Sequence, residues 1–569
     1  FEKINNRPFA YWISQGYKNV FAKATLLKEY AIPRQGMATT DNKKFMRNWF
    51  EVDFHNIKFD SKNSEEAKNS NKRWFPYNKG GRYRKWYGNN EFIVDYYNNG
   101  EELINLVREK YPNISDPEFV IKNRKYYFKS GITWTFISID VGVRYFPNGF
   151  IFDVAGSSLF PDEDKLYYIL GFMCSKLMKQ FLQMLNPTMN VQAGNVGNLP
   201  IIFDVNENEY ITKVVKECIH ISKEDWDSFE TSWDFNKHSL ISKNTNNIED
   251  AFDKWNSECN ERFNKLKSNE KELNKKFIEI YGLEKDLSSE ILDKDITIRK
   301  ADREREIKSL ISYAVGCMFG RYSLDKEGLI YAGGDFDKVY KKYKGENGGW
   351  AGASLANYKV LNDNGKEIEL SFEVDNDNVI PITDEAYFVD DIVERFKKFI
   401  SVVYGEKTLN ENLDYIAETL GKKGTETSED TIRRYFVNDF FNDHVKIYQK
   451  RPIYWLFDSG KKNGFKALIY MHRYNENLVP KIRLDYLHRM QTTYEKLLSD
   501  INYKLTTELS MTDKKEAQKR QADLNAKLQE IKEYDEKIAH IANQRISIDL
   551  DDGVKVNYEK FKAILAKIK

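Results

Sequence analysis

The chain has 569 residues, of which 41% are hydrophobic and 31% charged, with a formal net charge of +1. This length exceeds what one hydrophobic core accommodates, and the 35 Tyr and 36 Phe favour packed cores over disorder, so three or four folded domains are expected. The absence of a long apolar run and of a signal peptide excludes a membrane protein and predicts a cytoplasmic location.

The four cysteines lie far apart in the sequence and form no C-x-x-C pair: Cys174, Cys218, Cys259 and Cys317. This spacing predicts reduced, mostly buried thiols and neither a zinc site nor a disulfide framework. The chain begins with Phe1 rather than Met, which indicates a fragment or a processed product.

Charge is distributed unevenly along the chain. Residues 1–205 contain 28 Lys and Arg against 21 Asp and Glu, a net charge of +7, and the remainder is therefore net acidic. A basic N-terminal third predicts that a polyanion-binding surface lies in the first domain.

The segment from Lys72 to Tyr87 interleaves cations with aromatic rings and contains no acidic residue. Cations neutralise phosphates, rings stack on bases, and Gly80-Gly81 allows the backbone to turn. The segment therefore predicts nucleic-acid binding. The alternative is a pair of strands whose aromatic residues face a core and whose cations are solvated. The cations are Lys72, Arg73, Lys79, Arg82, Arg84 and Lys85, and the rings considered for contact are Trp74, Tyr77, Tyr83 and Trp86.

The rest of the first third predicts mixed α and β structure. The runs 119–128 (FVIKNRKYYF) and 132–141 (ITWTFISIDV) are rich in β-branched and aromatic residues and predict strands. A helix is predicted from Asp162 to Asn186-Pro187, because the apolar positions between them keep near-helical spacing. The segment Gly194 to Gly197 follows no clear strand and predicts a loop.

Beyond residue 205, helical patterns dominate. Residues 206–300 predict a helical spacer, and residues 301–478 a mixed α/β domain with a Gly-rich loop at 345–352. Apolar residues repeat every three and four positions in residues 479–569, which predicts a long antiparallel helical hairpin, with Asp513 and Glu516 as a capping box. The whole chain is thus expected to have an α+β multidomain fold.

The sequence offers no constellation typical of catalysis. It contains no strand followed by G-x-G-x-x-G, no phosphate loop, no G-x-S-x-G and no H-x-x-x-H spacing. The acids at 162–164 are better explained as a helix start, where carboxylates favour the dipole, and His472 as a structural residue. No catalytic, cofactor-binding or metal-binding residue is predicted.

Several segments carry a joint resemblance to one family. They are 36–42 (GMATTDN), 72–90, 149–153 (GFIFD), 155–158 (AGSS), 225–233 (DWDSFETSW), 314–322 (AVGCMFGRY), 451–457 (RPIYWLF) and 459–466 (SGKKNGFK). Together they resemble the C-terminal half of PglX, the adenine-specific DNA methyltransferases of BREX phage-defence systems. The resemblance covers nearly the whole chain.

The resemblance implies four regions: a DNA target-recognition domain at 1–205, a helical spacer at 206–300, a C-terminal domain at 301–478, and a hairpin with a tail at 479–569. The family's cofactor-binding glycine loop and Asn-Pro-Pro-Tyr/Phe motif are absent, since the one Asn-Pro continues with Thr188. The catalytic half, with its S-adenosylmethionine, is therefore expected upstream of Phe1, and no cofactor in this fragment.

In this interpretation a monomer binds double-stranded DNA and selects the site that the upstream domain methylates on adenine N6. Other BREX components and DNA-mimic phage inhibitors are possible partners. The predicted DNA-binding residues are Lys72, Arg73, Lys79, Arg82, Arg84, Lys85, Tyr83 and Trp86. The alternative function is a protein-interaction module that docks other defence components. A nuclease in 301–478 is disfavoured because no carboxylates converge there.

Overall fold

The computed structural model describes residues 13–135, 141–186, 190–241, 245–343, 357–361 and 364–569. The chain divides into two units. The first consists of the described residues within Phe1–Trp49, His55–Ser232 and Asn256–Ala301, and the second of those within Phe50–Phe54, Trp233–Trp255 and Asp302–Lys569. Mixed helices and small sheets in both units confirm an α+β multidomain fold. The four-region division at 205, 300 and 478 stays a prediction.

The first unit combines short strands with helices of very different lengths. Its helices are α1 (Gln15–Lys23), α2 (Asn42–Phe45), α3 (Ser64–Asn69), α4 (Tyr97–Lys110), α5 (Glu163–Cys174), α6 (Lys176–Leu185), α7 (Ala193–Gly197), α8 (Val205–Asp227) and α9 (Ile248–Tyr281, from Asn256 in this unit). Its strands are β1 (Thr25–Leu26), β2 (Met46–Asn48), β3 (Trp74–Asn78), β4 (Phe92–Asp95), β5 (Gly131–Trp134), β6 (Val143–Phe146), β7 (Ile151–Phe152), β8 (Ser158–Leu159) and β9 (Pro200–Ile201).

A four-stranded sheet in the order β2-β4-β3-β7 is the largest sheet of this unit among the described residues. Strand β3 is antiparallel to β4, with Phe75 opposite Val94, and parallel to β7, with Tyr77 opposite Ile151. All five residues of β3 are buried, because both faces of the sheet are covered. A second sheet has the order β6-β5-β8, and β1 pairs with β9.

Three expectations for this unit need correction. The run 119–128 is not a strand: it contains tight turns at Pro117–Phe119 and Arg124–Tyr126, and Asn123 and Phe128 have φ of +59° and +69°. A left-handed backbone at these positions does not fit an extended strand. The predicted loop at 194–197 is the short helix α7. The run 132–141 is a strand only as far as Trp134, and its residues 136–140 lie outside the described ones.

The predicted helix at 162–186 begins as expected with Asp162 at the N-cap and ends before Asn186, but it is two helices. Ser175 is extended, with φ −78° and ψ 163°. The amide of Lys176 donates to the Asn274 side chain at 2.9 Å instead of to a helical carbonyl. A partner from α9 thus replaces the helical hydrogen bond at the break.

The second unit consists mainly of helices, with two small three-stranded sheets. Its helices are α10 (Arg303–Met318), α11 (Phe336–Val339), α12 (Ile392–Tyr404), α13 (Leu409–Thr419), α14 (Ser428–Asn438), α15 (Phe440–Ile447), α16 (Leu478–Lys481), α17 (His488–Lys504), α18 (Met511–Gln544) and α19 (Gly553–Glu559). Its strands are β10 (Lys341–Tyr343), β11 (Asn357–Leu361), β12 (Glu367–Glu369), β13 (Ile380–Pro381), β14 (Tyr454–Asp458) and β15 (Lys466–Tyr470). The Gly-rich segment predicted as a loop at 345–352 lies outside the described residues.

The predicted helical hairpin is present as α17 and α18. Gln521 donates to Asn502 at 2.6 Å, and His488 lies 3.0 Å from Asp535, so the two helices run antiparallel. The cap of α18 is Ser510, whose hydroxyl accepts from the amide of residue 513, and the predicted Asp513–Glu516 box is wrong by three positions.

All four cysteines are free thiols and three are buried, which confirms mostly buried thiols. Among the described residues, none of the helices has the length and apolarity that crossing a membrane requires.

Candidate functional site

Three loops of the first unit meet at one edge of its central sheet. We define loop A as residues 36–42, loop B as 79–83 and loop C as 153–157. Loops B and C leave the same sheet edge, because they follow the parallel neighbours β3 and β7. Loop A joins loop C through the backbone: the Met37 amide donates to Phe152 O at 3.0 Å, and the Val154 amide to Met37 O at 3.2 Å.

Glycines allow these loops to approach each other at backbone distance. A Cβ atom at Gly36 would lie 1.8 Å from Phe152 O, and one at Gly156 would lie 2.2 Å from Asn78 O. Gly80 has φ +85° and approaches Ala155 O, so it needs both a left-handed backbone and the missing side chain. The relative placement of the loops is therefore set by main-chain contact.

Polar side chains connect the loops further. Asp153 accepts from the Tyr77 hydroxyl at 2.5 Å and from Lys79 Nζ at 3.1 Å. Lys79 also donates to Asn42 Oδ1 at 3.3 Å, and Thr39 donates to the same oxygen at 2.5 Å. Burial and the neighbouring Asp153 raise the pKa of Tyr77, so its hydroxyl stays a donor. Lys79 therefore lies between loops A and C, and about a quarter of its side chain is exposed.

Most of the exposed side chains at and beside this site are donors and cations, while the partly exposed Asp41 accepts from the Lys43 and Lys44 amides. Asn42, Lys43, Arg82 and Tyr83 are exposed. Ammonium and guanidinium groups bind phosphate oxygens, while an amide or guanidinium in a groove can read base edges. The arrangement suits a polyanion with readable edges.

A buried arginine, Arg144, holds loop B in place through a hydrogen bond to its backbone. Arg144 donates to Gly80 O at 3.1 Å and to the Thr135 hydroxyl at 3.3 Å, and it is almost fully buried. Burial and the nearby Arg84 lower the pKa of Arg144 to about 10. Sequence reasoning did not single it out, because nothing near it in the chain marks it as a partner of loop B.

Arg84 is only 6% exposed and does not face solvent. It donates to Asp225 at 2.8 Å and to Ser222 O at 3.0 Å from α8, and its guanidinium lies 5.1 Å from the Trp226 ring. These partners indicate a structural residue that joins the end of loop B to α8.

Lys85 and Trp86 are buried in the same way. Lys85 forms an ion pair with Glu270 of α9, and Trp86 Nε1 donates to the other oxygen of that carboxylate at 2.8 Å. Burial alone would lower the pKa of Lys85, but the Glu270 carboxylate outweighs it and the pKa rises, so the lysine is charged. With Arg84, these residues are part of the core, and we remove all three from the set of proposed DNA contacts.

Lys72 and Arg73 lie at the beginning of β3, at the end opposite loop B. Lys72 Nζ donates to His55 O at 2.6 Å, and Arg73 Nε donates to Asp95 at 2.7 Å. Both are partly exposed, and their contact with DNA stays a prediction. Of the eight predicted residues, the structure thus brings Lys79, Arg82 and Tyr83 together in one loop.

Sequence reasoning missed the polar residues of loops A and C: Thr39, Asn42 and Asp153. The segments that carry the family resemblance could have pointed to them. GMATTDN and GFIFD contain these three residues, and GMATTDN and AGSS contain the anchoring glycines Gly36 and Gly156. Among the described residues, no group of three or more His, Cys, Asp or Glu side chains could hold a metal ion.

Comparison with known proteins gives close relatives. The chain is 41% identical over 574 residues to the adenine-specific methyltransferase PglX of Lacticaseibacillus casei (strain Zhang), covering 99% of the chain and 45% of that protein. It is 36% identical over 595 residues to the adenine-specific methyltransferase BrxX of Escherichia coli O9:H4 (strain HS), covering 100% of the chain and 45% of that protein. These identities confirm the resemblance to PglX. The chain spans about half the length of the curated relatives it matches. No family model matches it.

Proposed function

We propose that this chain, a relative of PglX and BrxX over nearly its whole length, is the DNA sequence-recognition and C-terminal region of an adenine-N6 DNA methyltransferase in BREX anti-phage defence. The observation that carries the proposal is the site of loops A, B and C. It presents exposed cations and an exposed amide on a framework fixed by main-chain contacts.

A rigid framework matters because sequence discrimination requires donors at fixed positions. Arg82 is exposed on loop B, and Lys43 is exposed in α2 directly after loop A; glycines and Lys79 hold these loops together. In the proposed complex these cations contact phosphates or guanine edges, and the Asn42 amide nitrogen is available as a donor to a base-edge acceptor. Duplex DNA lies across the three loops.

The methyl transfer itself is not assigned to residues of this chain. Its sequence has neither a cofactor-binding glycine loop after a strand nor an Asn-Pro-Pro-Tyr/Phe motif. S-adenosylmethionine and the flipped adenine are therefore proposed to bind in the part of the relatives that this chain does not cover. The chain's own contribution is to select and hold the duplex.

Binding of duplex DNA by the 569-residue chain, measured across a salt series, tests the proposal. Combined Lys43→Ala and Arg82→Ala should raise Kd about tenfold or more and reduce the salt slope by about 0.9 for each lost phosphate contact. The matched control replaces two exposed lysines of α8 and α9, Lys213→Ala and Lys275→Ala. An unchanged affinity and slope in the Lys43/Arg82 variant would contradict the proposal.

A second candidate is a protein-interaction module that docks other BREX components. It is favoured by the tip of the α17–α18 hairpin, where Tyr503 is 73% and Met511 86% exposed. Exposed large apolar side chains that lie close together are typical of a contact surface. Co-purification of defence components that is lost in the Tyr503→Ala, Met511→Ala variant would support this role, and both functions are compatible in one chain.

The chain is proposed to act as a cytoplasmic monomer on double-stranded DNA, and DNA-mimic phage inhibitors are proposed to compete for the same cations. A protein that mimics DNA presents carboxylates in place of phosphates, so Lys43 and Arg82 would bind it by the same electrostatics.

A further inference from the structure

Three cations lie around one tyrosine outside the site described above, and a fourth lies in the same segment. Around the Tyr126 ring centroid, Arg34 Cζ lies at 5.1 Å, Lys125 Nζ at 5.4 Å and Lys129 Nζ at 5.6 Å. Lys122 lies in the same segment and donates to the Gln35 side chain at 3.3 Å. We call Arg34, Lys122, Lys125, Lys129 and Tyr126 the Tyr126 cluster.

The cluster is held in place by the fold. The Tyr126 ring stacks on Phe160 with centroids 4.9 Å apart and 28° between the planes. Asn123 donates to Gln35 O at 2.8 Å, and the Arg34 backbone pairs with Ser158 in both directions at 2.8 and 2.9 Å. The cations therefore stand on a rigid base.

Nothing in the described part of the chain neutralises these cations. None of the four forms an ion pair with a described residue, and the Arg34 Nε atom is buried without a hydrogen-bond partner. Other lysines of the same unit are paired, as the exposed Lys44 is with Glu102 at 2.6 Å and the partly buried Lys58 with Asp60 at 2.7 Å.

Like charges that share one tyrosine repel each other. The attraction of a cation to an aromatic ring at an exposed site is only about 0.5–1 kcal/mol and does not neutralise its charge. The cluster is therefore poised to gain from an anion, and a polyanion can neutralise several of the cations at once.

We propose that the Tyr126 cluster binds backbone phosphates of duplex DNA beside the site held by loops A to C. This inference rests on the proposed function. Chain continuity supports it, because Arg34 is two residues before loop A and pairs with Ser158, the residue after loop C. A duplex on the loops thus passes beside the cluster.

The cluster positions the duplex without reading it. Three of its cations are engaged with a tyrosine face, and a lysine ammonium acts on phosphate as a point charge. The contacts should strengthen binding to every duplex by the same factor, whereas loops A to C should distinguish sequences.

Two variants test the inference: one carries both Lys125→Ala and Lys129→Ala, and the other carries Arg34→Gln. Each is compared with the unsubstituted 569-residue chain and with the Lys213/Lys275 control. Kd is measured for duplexes of differing sequence across a salt series. We expect the Lys125/Lys129 variant to lose about the same factor of affinity on every duplex, with the salt slope reduced by about 0.9 per lost phosphate contact. Both lysines are exposed, so the thermal unfolding midpoint should stay at that of the unsubstituted chain.

Two results overturn the inference alone: unchanged affinity and slope in both variants while the unsubstituted chain binds DNA, or a loss confined to particular sequences. Failure of the unsubstituted chain to bind any duplex overturns the proposed function, and the inference with it.

Discussion

Lys85 and Glu270 form a buried ion pair between residues 185 positions apart in the chain. The same carboxylate also accepts from Trp86, so one acid of α9 satisfies two neighbouring donors. Part of the basic, aromatic segment that predicts nucleic-acid binding thus has a structural role. Lys85 and Trp86 attach the segment to α9, the long helix of the first unit.

Breaking this pair should destabilise the first unit. Lys85→Met leaves the Glu270 carboxylate buried with only the Trp86 N–H, and we expect a loss of about 3–5 kcal/mol of unfolding free energy. Lys85→Met combined with Glu270→Gln removes both charges and keeps an acceptor for Trp86, so it should recover most of the loss. Urea denaturation measures both. A stable Lys85→Met variant that fails to bind DNA would show instead that this lysine is a DNA contact.

Gly36 should not tolerate even one added methyl group. Because its Cβ would overlap Phe152 O at 1.8 Å, Gly36→Ala should cost about 1–3 kcal/mol or more and separate loop A from loop C. The matched control is Gly194→Ala in α7, where no atom lies within 4 Å of the added Cβ, and alanine there should be neutral or stabilising by up to about 1 kcal/mol. Equal unfolding midpoints for the two variants would refute the close approach.

Arg144 should determine how rigid loop B is. Arg144→Met leaves Gly80 O without its donor and removes a buried cation that forms no ion pair with a described residue. The unpaired carbonyl costs about 1–3 kcal/mol, which is offset in part by the removed charge. Amide hydrogen exchange in 80–83 should therefore increase much more than in β5. Exchange that rises equally in both would indicate global destabilisation.

The second unit should lose stability in acid. Burial lowers the pKa of His238, His444 and His472 to about 3. His444 Nε2 accepts from the Ile453 and Tyr454 amides at 3.1 Å each, so protonating it would break both bonds.

The unfolded pKa of histidine is about 6.5, so between pH 6.5 and 3 only the unfolded chain takes up these protons. The unfolding free energy should then fall with decreasing pH by about 1.4 kcal/mol per pH unit for each histidine. Burial raises the pKa of Asp375 to about 6, so below pH 6 the folded chain takes up a proton at this carboxylate before the unfolded chain does. The contribution of Asp375 to the unfolding free energy therefore increases as the pH falls and offsets that of one histidine.

Urea denaturation followed by circular dichroism at several pH values checks this slope. His444→Gln should flatten it by about 1.4 kcal/mol per pH unit, while the exposed His540→Gln should leave it unchanged. Stability that increases steadily from pH 6.5 to 4 would contradict the assignment of neutral buried histidines.

Helices with regular apolar spacing could be predicted from the sequence, and their interruptions could not. The pattern at 162–186 located both helix ends, because the signals for them are local. The break at Ser175 depends on Asn274, whose side chain is almost a hundred positions away. The prediction of a strand at 119–128 was wrong because a composition rich in aromatic and β-branched residues also suits buried turns.

The site was predicted in part for the same reason. A run of alternating cations and rings does not show which cation is exposed, as Arg82 is, and which is buried, as Arg84 is. The distinction comes from Asp225 and Glu270, which reach residues 84–86 from α8 and α9. Lys79, Arg82 and Tyr83 could be found from sequence, while Asp153 and Asn42 required the packing of the three loops.

Main-chain anchoring of loops A, B and C separates what must stay constant from what is free to change. Gly36, Gly80 and Gly156 fix the loops without help from the outward-facing side chains. A combinatorial library restricted to the exposed positions 43, 82 and 83, with the three glycines and Asn42 kept, would sample new contact surfaces on an unaltered scaffold. The same division offers a route to retargeting by engineering.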